Sequence, residues 1–352
     1  MNHAQRLSAL TERLSAPLLV SKAPNLHYLT GFTGSSGWLL ARPDGRSTFV
    51  TDGRYGELAE ELVTDLPGAE LVVYTSGLWD VFRSLVDGEV TLEADGVTWE
   101  FATDFGRETE VDVVAGGGAV EELRRTKDED EVDALQAAAT AGDRAFSALA
   151  SISEPSLSEE ELGWRLIDEM RKAGGQAAGW EPIVAAGAGA SIPHYRSGRS
   201  PVGTGLLLMD YGCTVEGYHS DMTRTVWLTG TPDEEMGRVY RAVAESQEAG
   251  LAAVAPGVTC GAVDEAVREV LRGYGYEKEF LHSTGHGVGL EIHEPPWVRR
   301  GNDDELQPGD AITIEPGVYL PGIGGVRIED MVLVTETGSQ VFTNSSKEPT
   351  AP

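Results

Sequence analysis

Leu206-Leu207-Leu208-Met209-Asp210-Tyr211-Gly212, followed shortly by Gly217-Tyr218-His219-Ser220-Asp221-Met222-Thr223-Arg224, is the stretch on which the reading of this chain turns. An apolar strand runs into Asp210, turns through residues 212–217 and returns through Asp221. That pattern predicts an antiparallel pair with the two carboxylates opposite each other. Cross-strand partners lie about 5 Å apart and like charges there repel, so a positive group is expected between them. The arrangement then recurs. Ala311-Ile312-Thr313-Ile314-Glu315-Pro316-Gly317 is an apolar strand leading into an acid, residues 322–325 turn, and Val326-Arg327-Ile328-Glu329-Asp330 brings back a second. One Asp or Glu at a strand end is usually a solvated turn residue; four of them in two matching hairpins point to two similar halves around one site.

A nitrogen donor is supplied by Thr284-Gly285-His286-Gly287-Val288-Gly289. Glycines on both sides of His286 let the backbone approach something closely, which favours an exposed or ligating imidazole over a packed one. The later His293-Glu294 is not a helical zinc motif, because no second His follows four residues on. One His and four carboxylates form a hard, oxygen-rich set suited to Mn²⁺, Co²⁺ or Zn²⁺. Two divalent cations would balance four carboxylates and a bridging hydroxide to within one charge. A single ion would leave most of that buried negative charge uncompensated, which is costly.

At 352 residues the chain is long enough for two domains. Residues 1–115 read as a small α/β domain, with short apolar runs at 17–20, 37–40, 49–51 and 71–74 and an amphipathic stretch at 78–86. Gly116-Gly117-Gly118 breaks the pattern, and a charged, Ala-rich helix signal runs from Glu121 to about Ala150. The domains are therefore expected at 1–120 and 121–352. In the second, helices alternate with antiparallel strands at 206–209, 225–227, 311–314 and 331–334. Ser158 with Glu161 reads as a capping box, and so does Thr231-Pro232-Asp233-Glu234, with Pro232 at the first helical position. Met236, Val239, Tyr240, Val243 and Val254 recur at helical spacing, as do Ala262, Val263, Ala266, Val267, Val270 and Leu271 before a stop at Gly273. These stripes are helix faces packed on a core. The polar tail, residues 343–352, is expected to fray.

With 27 Lys+Arg against 57 Asp+Glu the formal charge is −30, so a polyanion meets a repulsive field and neither nucleic acid nor anionic membrane is an expected partner. Cys213 and Cys260 stand in no metal-type spacing and read as free thiols of a reducing compartment. The first turns carry Arg6, Glu12 and Arg13 without a signal-type apolar run, and no stretch of about 18 apolar residues occurs. A soluble, cytoplasmic protein is expected.

The series Met209-Asp210-Tyr211-Gly212, Ser220-Asp221-Met222-Thr223-Arg224, Gly285-His286-Gly287, Glu315-Pro316-Gly317 and Gly325-Val326-Arg327-Ile328-Glu329-Asp330 resembles the pita-bread metallopeptidases, specifically their aminopeptidase P and prolidase branch. Asn25-Leu26-His27-Tyr28-Leu29-Thr30-Gly31-Phe32 and Val50-Thr51-Asp52-Gly53-Arg54-Tyr55 are similar to the creatinase/prolidase N-terminal domain. The resemblance implies an α+β fold, a pita-bread C-terminal domain with a smaller α/β creatinase-like N-terminal domain. It implies two divalent metal ions, Mn²⁺ first, held by Asp210, Asp221, His286, Glu315 and Glu329, with Asp221 and Glu329 bridging both. It gives Glu315 a proton-relay role, and gives His194 and His293 substrate binding and stabilisation of the oxyanion. His282 becomes a substrate-side group and Arg327 an orienter of site carboxylates; His3, His27 and His219 match no catalytic position.

The implied activity is hydrolysis of the bond between an N-terminal residue and a following proline, by an Xaa-Pro aminopeptidase or, alternatively, by a prolidase restricted to dipeptides. The run from Gly31-Phe32-Thr33-Gly34-Ser35 to Tyr55 looks more like aminopeptidase P. A methionine aminopeptidase would have no need of the N-terminal domain. The family also implies a homodimer in which the N-terminal domain of one subunit borders the other's active site. Many relatives carry an Asn shortly before the Pro193-His194 motif, where this chain has Gly187-Ala188-Gly189-Ala190-Ser191.

Overall fold

The structure, a computed structural model, describes residues 1–352. Two compact units divide it, Met1–Arg124 and Arg125–Pro352. The first is built on a six-stranded sheet in the spatial order Ala69–Tyr74, Ser47–Asp52, Gly37–Ala41, Leu18–Val20, Glu89–Glu93 and Asp112–Gly116. Leu18–Val20 is central, antiparallel to Gly37–Ala41 and parallel to Glu89–Glu93, and all three of its residues are buried. A strand covered on both faces needs an unbroken apolar run rather than an alternating one, which is what Leu18-Leu19-Val20 supplies. Leu19, Leu40, Val50 and Leu92 of the sheet pack with Phe82 and Phe105 of the helices Leu78–Leu85 and Trp99–Thr109.

In the second unit the sheets are antiparallel. Ile183–Ala186, Leu206–Tyr211 and Met222–Trp227 form one, with Leu206–Tyr211 in the middle. Glu294–Val298, Gly285–Gly287, Ala311–Ile314, Asp330–Thr335 and Gly338–Val341 form another, and Gly317–Leu320 with Gly324–Arg327 a two-stranded ribbon. The Leu206–Tyr211 strand is packed on both sides. Leu207 and Met209 join Ala138 and Leu166 of the helices Glu129–Ser147 and Glu159–Lys172, whereas Leu206 and Leu208 join Val239, Val243 and Val267 of Glu234–Ala253 and Cys260–Tyr274. Two-sided packing explains why the stretch is Leu-Leu-Leu-Met, and it fixes the end of the strand, where Asp210 stands.

Several sequence expectations are corrected. The helix expected over 121–150 is broken. Ala119–Arg125 ends, Thr126 bridges Asp310, and Asp128 opens a new helix through a capping box with Glu131. Thr231 is not a cap: Pro232 stays outside the helix and Asp233 accepts from Met236 N at 2.8 Å. Gly273 does not stop its helix, which runs to Tyr274 and ends on Gly275 in the left-handed region at φ 87°. The 343–352 tail is docked. Pro349 O accepts Trp227 N at 2.7 Å, Ser345 O accepts Arg224 Nη2 at 3.0 Å, and Asp143 accepts the Asn344 and Ser345 amides. Hydrogen bonds hold it, so its polar composition gave no packing signal.

The register also differs from expectation at the first hairpin. Asp210 pairs with Thr223, and Tyr211 with Met222, so Asp221 lies one step past the ladder and diagonal to Asp210. The offset arises because residues 213–219 are not a plain turn; Cys213–Val215 and Tyr218–His219 pair with each other and with Ala177–Ala178. In the second hairpin, Ile314 pairs with Asp330 in the five-stranded sheet and Gly317 with Arg327 in the separate ribbon; Glu315 and Glu329 fall between the two ladders, where their amides donate to Thr284 O and Thr223 O. No helix is long and apolar enough to cross a membrane.

Candidate functional site

Asp210, Asp221, His286, Glu315 and Glu329 line one cavity of about 530 Å³, together with His194, His282, His293 and Arg327. All nine site residues singled out in the sequence thus share a single wall. Within it, ligand atoms of Asp221, His286 and Glu329 lie within 4.8 Å of one another. Glu315 Oε1 is 3.4 Å from His286 Nε2, and Asp221 Oδ2 is 3.6 Å from it. Asp210 is turned differently: its Oδ2 accepts Arg327 Nη2 at 2.6 Å, and its buried Oδ1 has no hydrogen-bond partner.

The imidazole of His286 presents one ring nitrogen to the acids. Its Nδ1 stands 3.0 Å from Gly287 O and donates there, which leaves Nε2 as a lone pair facing the acids. Burial lowers its pKa to about 4, with the neighbouring His293 pushing the same way. His286 is therefore neutral at pH 7, and its approaches to Asp221 and Glu315 are not ion pairs. The flanking glycines are required by space. A Cβ on Gly285 would meet Thr313 O at 1.8 Å and one on Gly287 would meet Pro295 O at 2.3 Å.

The carboxylates are held in a frustrated state. Burial raises the pKa of Asp221 well above the ordinary range, and Glu329, Asp210 and Glu315 raise it further. Burial followed by Glu329 does the same to Glu315, and burial followed by Asp210 lifts Glu329 to about 8. Only Arg327 opposes this from within the cavity wall. Buried at 4% exposure, it donates to Asp210, to Tyr319 Oη at 2.8 Å and, through Nε, to Thr223 Oγ1 at 3.0 Å. Thr223 Oγ1 in turn donates to Glu329 Oε2 at 2.6 Å.

A buried acid cluster with an orphaned oxygen at Asp210 and an imidazole lone pair aimed at it fits divalent cations, which would supply the missing positive charge. The substrate-side histidines differ in state. His282 donates from Nδ1 to Ser283 O at 2.9 Å and accepts Tyr319 Oη–H on Nε2 at 2.8 Å, and burial pushes its pKa down to about 3. His293 stands at the rim with its ring 4.4 Å from that of His286, and His194 is exposed. Four functional neighbours escaped the sequence reading: Thr223, Tyr319, Trp180 and Trp297. The last two, with Ile183 and Ile292, give the cavity its apolar walls.

Residues 133–336 match the model of metallopeptidase family M24, and residues 5–126 that of the creatinase/prolidase N-terminal domain. The chain belongs to metallopeptidase family M24. As an M24 chain it is a metallo-exopeptidase of a family that uses divalent metal ions, and it is similar over nearly its whole length to Xaa-Pro peptidases of both kinds. The Xaa-Pro dipeptidase of Bacillus anthracis is 34% identical and superposes with a TM-score of 0.95 over 99% of both chains. The X-Pro aminopeptidase of Thermotoga maritima is 31% identical, with a TM-score of 0.87 over 96% of this chain and 98% of that one. The Xaa-Pro dipeptidase of Pyrococcus furiosus is 30% identical over 94% of each chain. The pita-bread C-terminal and creatinase-type N-terminal architecture expected from the motifs is therefore that of the molecule.

The raised carboxylates carry a pH consequence for this M24 site. Glu329 titrates at about 8 in the metal-free fold against 4.5 as a free side chain, so between those values the fold holds a proton that the unfolded chain has lost. Its stabilising contribution is full below about pH 4.5 and is lost as pH rises through 8. The metal-free protein is expected to lose thermal stability from pH 5 to pH 8, and divalent-ion binding at pH 7 to release protons. Calorimetric titration in two buffers of different ionisation enthalpy measures this. Heats that do not depend on the buffer would contradict it.

Proposed function

We propose that this chain is an Xaa-Pro aminopeptidase, releasing the N-terminal residue from peptides whose second residue is proline. Asp210, Asp221, His286, Glu315 and Glu329 would hold two divalent ions, Mn²⁺ first, with Asp221 and Glu329 shared between them. When bound, the ions supply Lewis-acid polarisation and lower the pKa of water. Glu315 would accept a proton from the attacking water and pass it to the leaving proline nitrogen as the scissile C–N bond breaks. His194 and His293 offer N–H donors to the oxygen of the scissile carbonyl as negative charge develops on it. The apolar walls, Trp180, Ile183, Ile292 and Trp297, pack against the proline ring and the first side chain and exclude water. The working protein is proposed to be a cytoplasmic homodimer; an active monomer in a sedimentation experiment would count against the dimer.

The single observation that favours an aminopeptidase is the state of the cations. Arg327 is the one Lys or Arg on the cavity wall, and its guanidinium is spent on Asp210, Tyr319, Thr223 and Pro193 O. His282, with a pKa near 3, is neutral. No Lys or Arg is left on the wall to demand the free carboxylate of a dipeptide's proline, so a chain that continues beyond proline is accepted. The names of the Bacillus anthracis and Pyrococcus furiosus relatives favour the second reading, a dipeptidase. Arg-Pro-Pro separates the two. The metal-loaded enzyme is expected to release Arg from it with a kcat/KM within about tenfold of that for an Xaa-Pro dipeptide, an allowance of about 1.4 kcal/mol. Cleavage of dipeptides alone would overturn the aminopeptidase reading.

A further inference from the structure

One buried carboxylate of the C-terminal unit stands outside the cavity and yet grips the segment that carries His194. Glu159, the first residue of the Glu159–Lys172 helix, is 1% exposed. Its Oε1 accepts Ala186 N at 2.9 Å, and its Oε2 accepts Tyr195 Oη–H at 2.9 Å and Gly198 N at 3.1 Å. These donors lie at the two ends of residues 186–198, and between them Pro193 and His194 reach the cavity wall. The backbone reinforces the exit side, where Gly198 O accepts Glu160 N and Ser200 O accepts Glu159 N, both at 3.0 Å.

The glycine-rich approach to Pro193-His194 has its physical account here. A Cβ on Gly189 would stand 3.1 Å from Tyr195 Cζ, so the ring lies on that glycine with its hydroxyl carried to Glu159. In the middle of the segment Arg327 Nη1 donates to Pro193 O at 3.3 Å. His194 itself is exposed. A buried carboxylate is satisfied only when its donors are in place, and charge-assisted bonds of this kind are the strong ones. The segment is thus tied down at both ends by a single side chain.

We propose that Glu159 is a positioning residue for His194, clasping residues 186–198 so that the imidazole is presented to the bound peptide. The inference rests on the reading of the cavity as the peptide site. Glu159→Gln turns an amide donor toward a donor already there, whichever way the amide is oriented. In the metal-loaded enzyme it is expected to lower kcat/KM on an Xaa-Pro peptide about 10- to 100-fold, mainly in kcat, with bound metal unchanged. In a His194→Ala background the same change should cost less than about twofold, because two sites that act through one group do not add. Equal losses in both backgrounds, or no loss at all, overturn the proposal.

Tyr195→Phe removes one of the three bonds and decides the question if Glu159→Gln does not fold. About a two- to fivefold loss is expected, again absent beside His194→Ala. Limited trypsin digestion gives a readout independent of turnover. Arg196 and Arg199 are exposed within or just beyond the clasped segment, and cleavage after them is expected to be about tenfold faster in Glu159→Gln than in wild type. Unchanged cleavage removes the clasp. A wild-type enzyme that cleaves no Xaa-Pro peptide would instead defeat the functional reading, and the digestion would still decide the clasp.

Discussion

Replacement of Asp221 by alanine is expected to remove at least three decades of kcat/KM and to strip divalent metal from the protein. Asp221 is buried among Glu329, Asp210 and Glu315, each of which raises its pKa, and its Oδ2 is 3.6 Å from His286 Nε2. Metal-ion catalysis contributes several kcal/mol of transition-state stabilisation, and each 1.36 kcal/mol is about tenfold in rate. Losing a group proposed to be shared by both ions forfeits most of that. The kinetic assay with added Mn²⁺, alongside elemental analysis of the dialysed protein, measures the effect. Turnover within about tenfold of wild type would remove Asp221 from the site.

A second arm distinguishes function from support. Glu329, Asp210 and Glu315 all push Asp221 toward its protonated form in the metal-free fold, so a neutral amide of the same shape removes the conflict at that position. The isosteric Asp221→Asn variant, free of metal, is therefore expected to melt no lower than metal-free wild type at pH 8. A residue that holds the fold together would do the opposite. A large fall in Tm for the asparagine variant would recast Asp221 as structural, whatever happened to activity. The expectation follows from the general conflict between local stability and an active site that keeps like charges together.

What could be read in the chain, and what could not, separates along a physical line. The second hairpin was legible because its two ladders, Ala311–Ile314 with Asp330–Leu333 and Gly317–Leu320 with Gly324–Arg327, keep the same residue offset about the turn although they belong to different sheets. The first was legible only to within two residues, because the small sheet made by residues 213–219 displaces Asp221 past the end of the ladder. His286 announced itself through two glycines that steric contact requires. Its cross-strand partner Trp297 did not, since that pairing follows an irregularity between His286 and Gly287 that alternation cannot foresee. Thr223 and Tyr319 were hidden for the same reason: each matters through what lies across a strand or a turn, and neither carries a charge to draw notice. Asp128 was visible in principle, as an Asp followed three residues later by Glu131, but the continuous Ala-rich pattern masked the break it makes.

The other large effect is expected at Arg327, where charge and shape can be taken apart. Its Nη2 holds Asp210 at 2.6 Å, Nη1 holds Tyr319 Oη at 2.8 Å, and Nε holds Thr223 Oγ1, which donates onward to Glu329. Arg327→Lys keeps a cation but replaces a planar fork with a point charge, so Asp210 can be held or Thr223 can, but not both. A loss of about 10- to 100-fold in kcat/KM is expected, accompanied by weaker metal binding of similar size. Arg327→Met goes further by leaving Asp210 buried without its counter-charge, a change that costs about 3–5 kcal/mol of stability, and its loss in kcat/KM is expected to exceed that of Arg327→Lys. Its sign in pH is fixed. Arg327 is the main influence lowering the pKa of Asp210 against the upward push of burial. Without it Asp210 keeps its proton to higher pH, so the acid limb of the kcat/KM profile should move upward and part of the lost activity should return on the alkaline side. Profiles of the metal-loaded variants measure this directly. A loss that is uniform across pH, with metal affinity unchanged, would mean that Arg327 merely fills space, and that the alignment of Asp210 and Glu329 has some other source.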